Sequence, residues 1–192
     1  MTFSSLAPGF LIASPPLGDP NFDRTVVLLA IHNEEGAFGF IVNRVAPLSL
    51  GELLAHAGYD HGLEDGSKVW LGGPVQPQSG WVVSDDASLE AEGVIAVGAR
   101  LRVSSSRSAF DALAQDLVAP GDGGARRLVV LGYSGWGPSQ LESEIARGAW
   151  LPTPLDERIL FECAAEERWE RAFAMMGLTP GNMMSMRSVG EA

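Results

Sequence analysis

The chain has 192 residues, a length typical of one domain, and its 46% apolar and 19% charged residues exclude a disordered or coiled-coil protein. Lysine and arginine number 13 against 24 acidic residues, so the net charge of −11 repels nucleic acid and anionic lipid at long range. Cys163 is the only cysteine, which excludes an internal disulfide and suits a reducing compartment.

Neither an export signal nor a membrane span is apparent. Residues 1–14 lack a basic start followed by a long apolar run. The longest apolar stretch, residues 26–31, is far short of the roughly 20 residues that a membrane helix needs. We therefore expect a cytoplasmic protein without a membrane partner.

The first part of the chain predicts three strands. Residues 10–14 and 25–32 are β-rich apolar runs separated by prolines, glycine and aspartate, which build turns. Residues 38–43 form a third run, reached through a polar, glycine-bearing connection of hairpin length. This spacing predicts that the second and third strands form an antiparallel hairpin.

Two segments carry apolar residues at helical spacing. The first covers residues 49–57 and opens on a Ser-x-x-Glu capping box. The second covers residues 108–117, with Ser108 and Asp111 placed to cap its start and Pro120 to stop it. Each pattern predicts an amphipathic helix.

Short β-like runs fill the space between these helices, and their order predicts a meander over residues 68–71, 80–84, 94–97 and 100–103. An almost continuous apolar run follows over residues 126–133. Apolar side chains on both faces of a strand indicate burial on both sides. We therefore expect this run to be a central strand.

The last part of the chain predicts a turn over residues 134–137 and two further helices. Ser139 and Glu142 are spaced as a cap for the third helix. The fourth helix spans residues 169–176, with Glu167 and Arg171 placed for an ion pair one turn apart.

Strands that come in pairs and runs, rather than alternating singly with helices, favour an α+β fold. We expect a mixed, largely antiparallel sheet with about four flanking helices. The whole chain, residues 1–192, is expected to form one domain with a loosely ordered tail over residues 179–192.

Several motifs along the chain form a distinctive set. The opening motifs cover residues 9–27 and 32–44, and the later ones cover residues 72–75, 131–137, 140–145, 148–151, 159–161 and 168–169. In their order and spacing these motifs resemble the YqgE/AlgH family. The resemblance implies an α+β fold whose branched sheet curls into a barrel-like core. It also implies a bacterial cytosolic protein without an established enzymatic activity, from a family often labelled as transcriptional regulators.

The segment Gly132-Tyr-Ser-Gly-Trp-Gly lies between a buried strand and a helix start, where a nucleophile elbow or an anion-binding loop would occur. It departs from Gly-x-Ser-x-Gly because Trp136 stands in place of the second glycine. Three interpretations stay open. In the first, the segment is a tight turn with Trp136 covering the core. In the second, it binds an anion or small ligand, and in the third it is a loop that presents Ser134 as a nucleophile.

The clustering of family-like motifs in loops suggests one shared ligand-binding cleft, because sites tend to lie on loops. The alternative is that these polar groups are solvated or cap turns. The candidate ligand-binding residues are His32, Asn33, Glu35, Asn43, Gly72, Gly73, Ser134, Gly135, Trp136 and Gln140.

The basic residues concentrate in one part of the chain, which is the only sequence feature that favours DNA. Its alternative is a solvated face that balances the acidic excess. The residues are Arg100, Arg102, Arg107, Arg126 and Arg127. The three histidines lack metal-ligand spacing, so we predict no metal or cofactor site.

No complete catalytic constellation is present in the sequence, so no catalytic residue is predicted. We expect a non-catalytic protein that binds a small anionic ligand or a protein partner, with a regulatory consequence. The alternatives are a transcriptional regulator that binds DNA directly and a hydrolase that uses Ser134 or Cys163.

Overall fold

The computed structural model describes residues 4–15, 18–59, 67–89, 93–118 and 125–181. Within them the chain forms ten strands, five α-helices and one short 3-10 helix over Ala165–Glu167. The strands are β1 (Gly9–Ala13), β2 (Val26–Asn33), β3 (Gly36–Ile41), β4 (Val45–Ser49), β5 (Lys68–Leu71), β6 (Val75–Ser84), β7 (Ile95–Val97), β8 (Leu101–Ser104), β9 (Arg127–Trp136) and β10 (Trp150–Pro154). The helices are α1 (Leu50–His56), α2 (Arg107–Val118), α3 (Gln140–Ala146), α4 (Glu157–Phe161) and α5 (Arg168–Met175).

The strands join in one branched sheet with the order β10-β1-β2-β3-β9-β6-β8-β7. The branch lies at β9, whose last residues pair with β3 while residues 129–131 pair in parallel with β5. Every other strand pair is antiparallel. The sheet curls into a half-barrel, so that β7 contacts β2. The predicted α+β class, the mixed sheet and the central position of β9 are confirmed.

The predicted meander is wrong. Strand β5 leaves it to pair with β4 and β9, and β6 pairs with β8 rather than with β7. The run of short strands separated by turn residues does not encode which strand is the neighbour, because pairing depends on burial against the rest of the sheet.

The predicted turn over residues 134–137 is also wrong, because β9 continues through Trp136. The pairs Gly39↔Ser134 and Ala37↔Trp136 extend the ladder to this point. Neither Gly135 nor Gly137, the glycines that suggested a turn, has a positive φ. A close approach of backbones occurs on the neighbouring strand β3, where a Cβ atom on Gly39 would lie 2.4 Å from the Leu28 carbonyl oxygen.

Four elements were not predicted: β4, α4, β10 and the short 3-10 helix. Strand β10 pairs along its whole length with β1, although it contains Pro152 and Pro154. Proline is tolerated there because β10 is an edge strand, where one side of the backbone needs no ladder hydrogen bond. Strand β4 contains Pro47 and pairs only with β5. Both strands were missed because proline within a run of residues argues against a strand.

The helix caps agree with the sequence in one case of three. Ser49 and Glu52 form the predicted capping box of α1. Helix α2 begins at Arg107, and the Ser106 hydroxyl accepts the Ala109 N–H at 3.3 Å, so Ser108 does not cap it. Ser139 has a φ of 60° and makes no side-chain cap of α3. Pro120 and residues 182–192 of the predicted tail lie outside the described residues.

The buried side chains form three clusters. The largest fills the interior of the half-barrel beneath α4 and α5 and includes Phe40 and Phe173. A second lies under α3 on the outer face and includes Trp136 and Trp150. The third packs α1 and α2 against β6 and β9. Burial of a large apolar side chain contributes about 2 kcal/mol, so these clusters supply most of the driving force for folding.

Candidate functional site

Ser134 lies at the sheet branch and is completely buried. Its hydroxyl donates to the Gly72 carbonyl oxygen at 3.1 Å, and the Gly72 N–H donates to Leu131 at 2.7 Å. Gly73 has a φ of 150°, and a Cβ there would lie 2.3 Å from the Tyr133 carbonyl oxygen. This close-packed junction encloses Ser134 and does not favour its use as a nucleophile.

His32 is buried between the N-terminal segment and α3. Its Nδ1 accepts the Leu6 N–H at 3.0 Å, and its Nε2 lies 3.1 Å from Glu142 Oε1. Because Nδ1 is an acceptor, the proton of the neutral ring is on Nε2 and is donated to the Glu142 carboxylate. The Ser5 hydroxyl donates to the His32 carbonyl oxygen at 2.9 Å, so this histidine anchors the chain start.

Glu144 on α3 organises the tryptophan cluster and was missed by sequence reasoning. Its Oε2 accepts the indole N–H groups of Trp136 at 2.9 Å and Trp150 at 2.8 Å. Its Oε1 accepts the Gln140 amide at 2.9 Å, while Gln140 Oε1 accepts the Gly137 N–H at 3.0 Å. Only the i, i+4 spacing of Gln140 and Glu144 could have suggested this network.

The side chains of Asn33 and Asn43, two of the remaining ligand-binding candidates, also have internal partners. Asn33 Oδ1 accepts the Glu35 N–H at 2.9 Å within the β2–β3 turn. Asn43 accepts the Val26 N–H at 2.9 Å and donates to the Arg24 carbonyl oxygen at 2.8 Å. Their side chains thus stabilise turns and strand ends, which matches the alternative interpretation of the cluster.

The structure brings some of the ten candidates together. His32 and Trp136 lie in one row across the sheet, because each pairs with Ala37 of β3, and Gln140 is linked to Trp136 through Glu144. Gly72, Gly73 and Ser134 meet at the branch, and Gly135 pairs with Phe38. All ten are described residues, and none of them lines either of the two clefts below.

The five arginines do not form a free basic surface, since four of them pair with carboxylates. Arg126 Nε lies 2.6 Å from Asp85 Oδ2, and the guanidinium also contacts Glu157 and Glu162. The hydrogen bond to Asp85 raises the pKa of Arg126. The other three pairs are Arg100–Glu157, Arg107–Asp111 and Arg127–Asp116, and Arg102 donates to the Leu101 carbonyl oxygen.

The first cleft, about 330 Å³ in volume, lies where α1 and α2 diverge above β6 and β9. We call it the α1–α2 cleft. Its walls are mainly apolar, with polar side chains among them. The lining residues are Leu53, Leu54, Ala57, Tyr59, Gln78, Gly80, Ser105, Arg107, Phe110 and Leu131.

Tyr59, Arg107 and Asp111 interact at one side of this cleft. The Tyr59 hydroxyl donates to Asp111 Oδ1 at 2.6 Å, and Arg107 Nε lies 3.4 Å from the same oxygen. The Arg107 guanidinium lies over the Tyr59 ring, 4.9 Å from its centroid. Burial, followed by the hydrogen bond to Asp111, raises the pKa of Tyr59, so its hydroxyl stays protonated near neutral pH.

The second cleft, about 510 Å³ in volume, lies against α4 and α5 and is lined largely by charged side chains. Cys163 lies in this cleft, with its Sγ 3.9 Å from Glu167 Oε2. Burial, with the Glu167 charge second, raises the pKa of the Cys163 thiol. The sulfur is therefore held as a thiol near neutral pH, which does not favour a nucleophilic role.

Neither metal chemistry nor membrane insertion is indicated by the described residues. No cluster of three or more His, Cys, Asp or Glu side chains suited to a metal ion occurs among them. Nor does the described part of the chain contain a helix of the length and apolar character needed to cross a bilayer.

These features define an α+β protein with a curled, branched sheet, a buried serine at the branch and an open cleft between two helices. The chain belongs to the AlgH-like family (DUF179), whose sequence profile matches residues 10–181. This confirms the resemblance drawn from the motifs. The family consists of uncharacterised proteins, which also carry the designation UPF0301.

The similarity extends over almost the full length of several relatives. A UPF0301 protein of Anaeromyxobacter sp. (strain Fw109-5) is 42% identical over 191 residues, covering 94% of this chain and 93% of that protein. A UPF0301 protein of Myxococcus xanthus (strain DK1622) is 42% identical over 188 residues, covering 96% and 98%.

Two solved structures share the fold. The solution structure of the AlgH protein from Pseudomonas aeruginosa is 36% identical with a TM-score of 0.75, covering 96% of this chain and 97% of that one. Protein DIP2367 from Corynebacterium diphtheriae has a TM-score of 0.68 at 20% identity, covering 90% and 88%, and supports the fold alone.

Proposed function

We propose that this protein is a non-catalytic binding module whose ligand site is the α1–α2 cleft. The observation that carries the proposal is the cleft itself, an apolar concavity of about 330 Å³ with a few polar side chains on its wall. Small-molecule sites in proteins have this character and start at about 300 Å³. The protein would have a regulatory role if ligand binding changed its affinity for a partner protein.

The walls suit the apolar body of a small molecule. Leu53 of α1, Phe110 of α2 and Leu131 of β9 line the space from three elements. Gly80 lets the Phe110 ring pack directly against β6, because a Cβ there would lie 2.8 Å from the ring. Each methylene that a ligand buries contributes about 0.8 kcal/mol, so a chain of several carbons suffices for measurable affinity.

Catalysis at this cleft lacks support. Its described lining residues include a serine, a tyrosine and an arginine, but no His, Cys, Asp or Glu that would serve as a general base. The buried Ser134 and the thiol form of Cys163 give no support to the hydrolase alternative. Direct DNA binding is not favoured, because three of the five arginines, Arg100, Arg126 and Arg127, pair with carboxylates elsewhere on the protein.

The test compares two exposed alanines near the end of α1. Ala57 lines the cleft, whereas Ala55 does not. A tryptophan at position 57 fills the mouth of the cleft, and the same substitution at position 55 adds equal bulk outside it. We expect Ala57→Trp to weaken the binding of 1-octanol at least about tenfold in an NMR titration, and Ala55→Trp to leave it unchanged.

Two outcomes would contradict the proposal. Absence of saturable binding both of 1-octanol and of octanoate, its carboxylate analogue, by the natural protein would remove the site. An equal loss of binding in both variants would place the ligand elsewhere.

A further inference from the structure

We infer that the natural ligand of the α1–α2 cleft is an amphipathic anion, with a carboxylate, sulfonate or phosphate head on an apolar body, and that Arg107 receives the head. The inference rests on the proposed function and specifies its ligand. Asp111, which pairs with Arg107, would then compete with the ligand head for the same guanidinium.

The charge of the cleft wall supports an anion. Arg107 is the one charged residue among the described residues that line the cleft, although acidic residues outnumber basic ones by 24 to 13 in the chain. Tyr59 gives its hydroxyl proton to Asp111, but the lining side chains of Gln78 and Ser105 can donate hydrogen bonds to a ligand. A cleft that concentrates donors in an acidic protein selects ligands that accept hydrogen bonds and carry negative charge.

The Arg107–Asp111 pair is loose enough to exchange. The Nε to Oδ1 distance of 3.4 Å is long for a charge-assisted hydrogen bond, and the Arg107 side chain is 73% exposed. Asp111 also keeps the shorter hydrogen bond from Tyr59, at 2.6 Å, so it would retain a partner after Arg107 turned to a ligand. A ligand head therefore replaces a weak contact without leaving the aspartate unpaired.

The first turn of α2 adds to the attraction. Arg107 is the first residue of this 12-residue helix, and Ser105 lies just before it. The amino end of a helix carries a partial positive charge from its aligned peptide dipoles. The cationic side chain and the helix end thus act on the same side of the cleft.

The experiment measures the binding of octanoate, 1-octanol and octylammonium to the full chain at low and high salt, by NMR titration. The three probes share one apolar body and differ in the head. We expect octanoate to bind about threefold to tenfold more tightly than 1-octanol, and octylammonium to bind most weakly. High salt should remove the advantage of octanoate.

Variants at positions 107 and 111 identify the residue responsible. Arg107→Gln should reduce octanoate affinity to that of 1-octanol, and Arg107→Lys should keep most of the difference because the charge remains. Asp111→Asn should tighten octanoate binding, because it removes the competing charge while the amide oxygen still accepts from Tyr59. The amide spectrum of each variant verifies its fold.

The outcomes distinguish a wrong assignment of the anionic ligand from a wrong assignment of the binding site. Equal binding of octanoate and 1-octanol at the cleft would overturn the anionic ligand and leave the binding site standing. Failure of all three probes to bind would overturn both. Octanoate binding that Arg107→Gln does not weaken would overturn the role of Arg107.

Discussion

Replacement of Glu144 by alanine tests whether the tryptophan cluster under α3 depends on one carboxylate. The change removes the acceptor of two indole N–H groups, on Trp136 and on Trp150, whose residues are 6% and 1% exposed. An unsatisfied buried donor costs about 1–3 kcal/mol. Glu144 itself is only partly buried, so water replaces some of the lost hydrogen bonding, and we expect a loss of about 2–4 kcal/mol.

Urea denaturation followed by tryptophan fluorescence measures this loss, and two variants calibrate it. Glu144→Gln keeps one oxygen for the indoles and should cost about 1 kcal/mol. Glu166→Ala, at an exposed position of the 3-10 helix, should cost under about 0.5 kcal/mol. If Glu144→Ala were no more destabilising than Glu166→Ala, the carboxylate would not hold the cluster and the reasoning would be refuted.

Three further predictions concern the branch, the thiol and one helix cap. Gly73→Ala should lower the free energy of unfolding by at least about 3 kcal/mol in urea denaturation, because its Cβ would overlap the Tyr133 carbonyl. Gly58→Ala, at a φ of 84° and with no atom within 4 Å, should cost about 1 kcal/mol. Equal losses would show that the branch is not tightly packed. Iodoacetamide should label Cys163 more slowly than a free thiol at pH 7 and approach it at higher pH, because burial raises the thiol pKa; rapid labelling at pH 7 would contradict this. The hydrogen bond from Arg158 lowers the pKa of Asp156 below its ordinary value of 3.8. The Asp156 carboxylate therefore stabilises the folded protein above about pH 5, and this stabilisation is lost as the pH falls through the pKa of Asp156 in the folded state. Asp156→Ala should therefore destabilise the protein by about 1 kcal/mol at pH 7 and by less at pH 3. A loss of stability that does not depend on pH would show that the charge of Asp156 is not its cause.

Local patterns in the sequence predicted most of the elements, because each pattern has a local physical cause. The α1 capping box, the β2–β3 hairpin and the apolar stripe of α5 depend on neighbours within a few residues. Strand pairing depends on contacts between distant segments. For that reason the parallel β5–β9 ladder and the extension of β9 through Trp136 were not predicted.

The candidate site was likewise predicted only as far as local sequence patterns allow. The family motifs directed attention to Ser134 and Trp136, whose side chains turn out to be buried with internal partners. Several residues of the α1–α2 cleft, such as Leu53 and Phe110, were predicted only as parts of apolar helix faces. The gap between those faces arises from how α1 and α2 pack on β6 and β9, which the spacing of residues along one helix does not encode.

Intermolecular NOEs on the isotope-labelled protein would locate bound octanoate and show whether the α1–α2 cleft is the ligand site. We expect contacts from the methylene chain of octanoate to Leu53, Phe110 and Leu131, with the carboxylate end nearest Arg107. Contacts confined to the surroundings of Trp136 and Gln140, or none at all under saturating conditions, would contradict it.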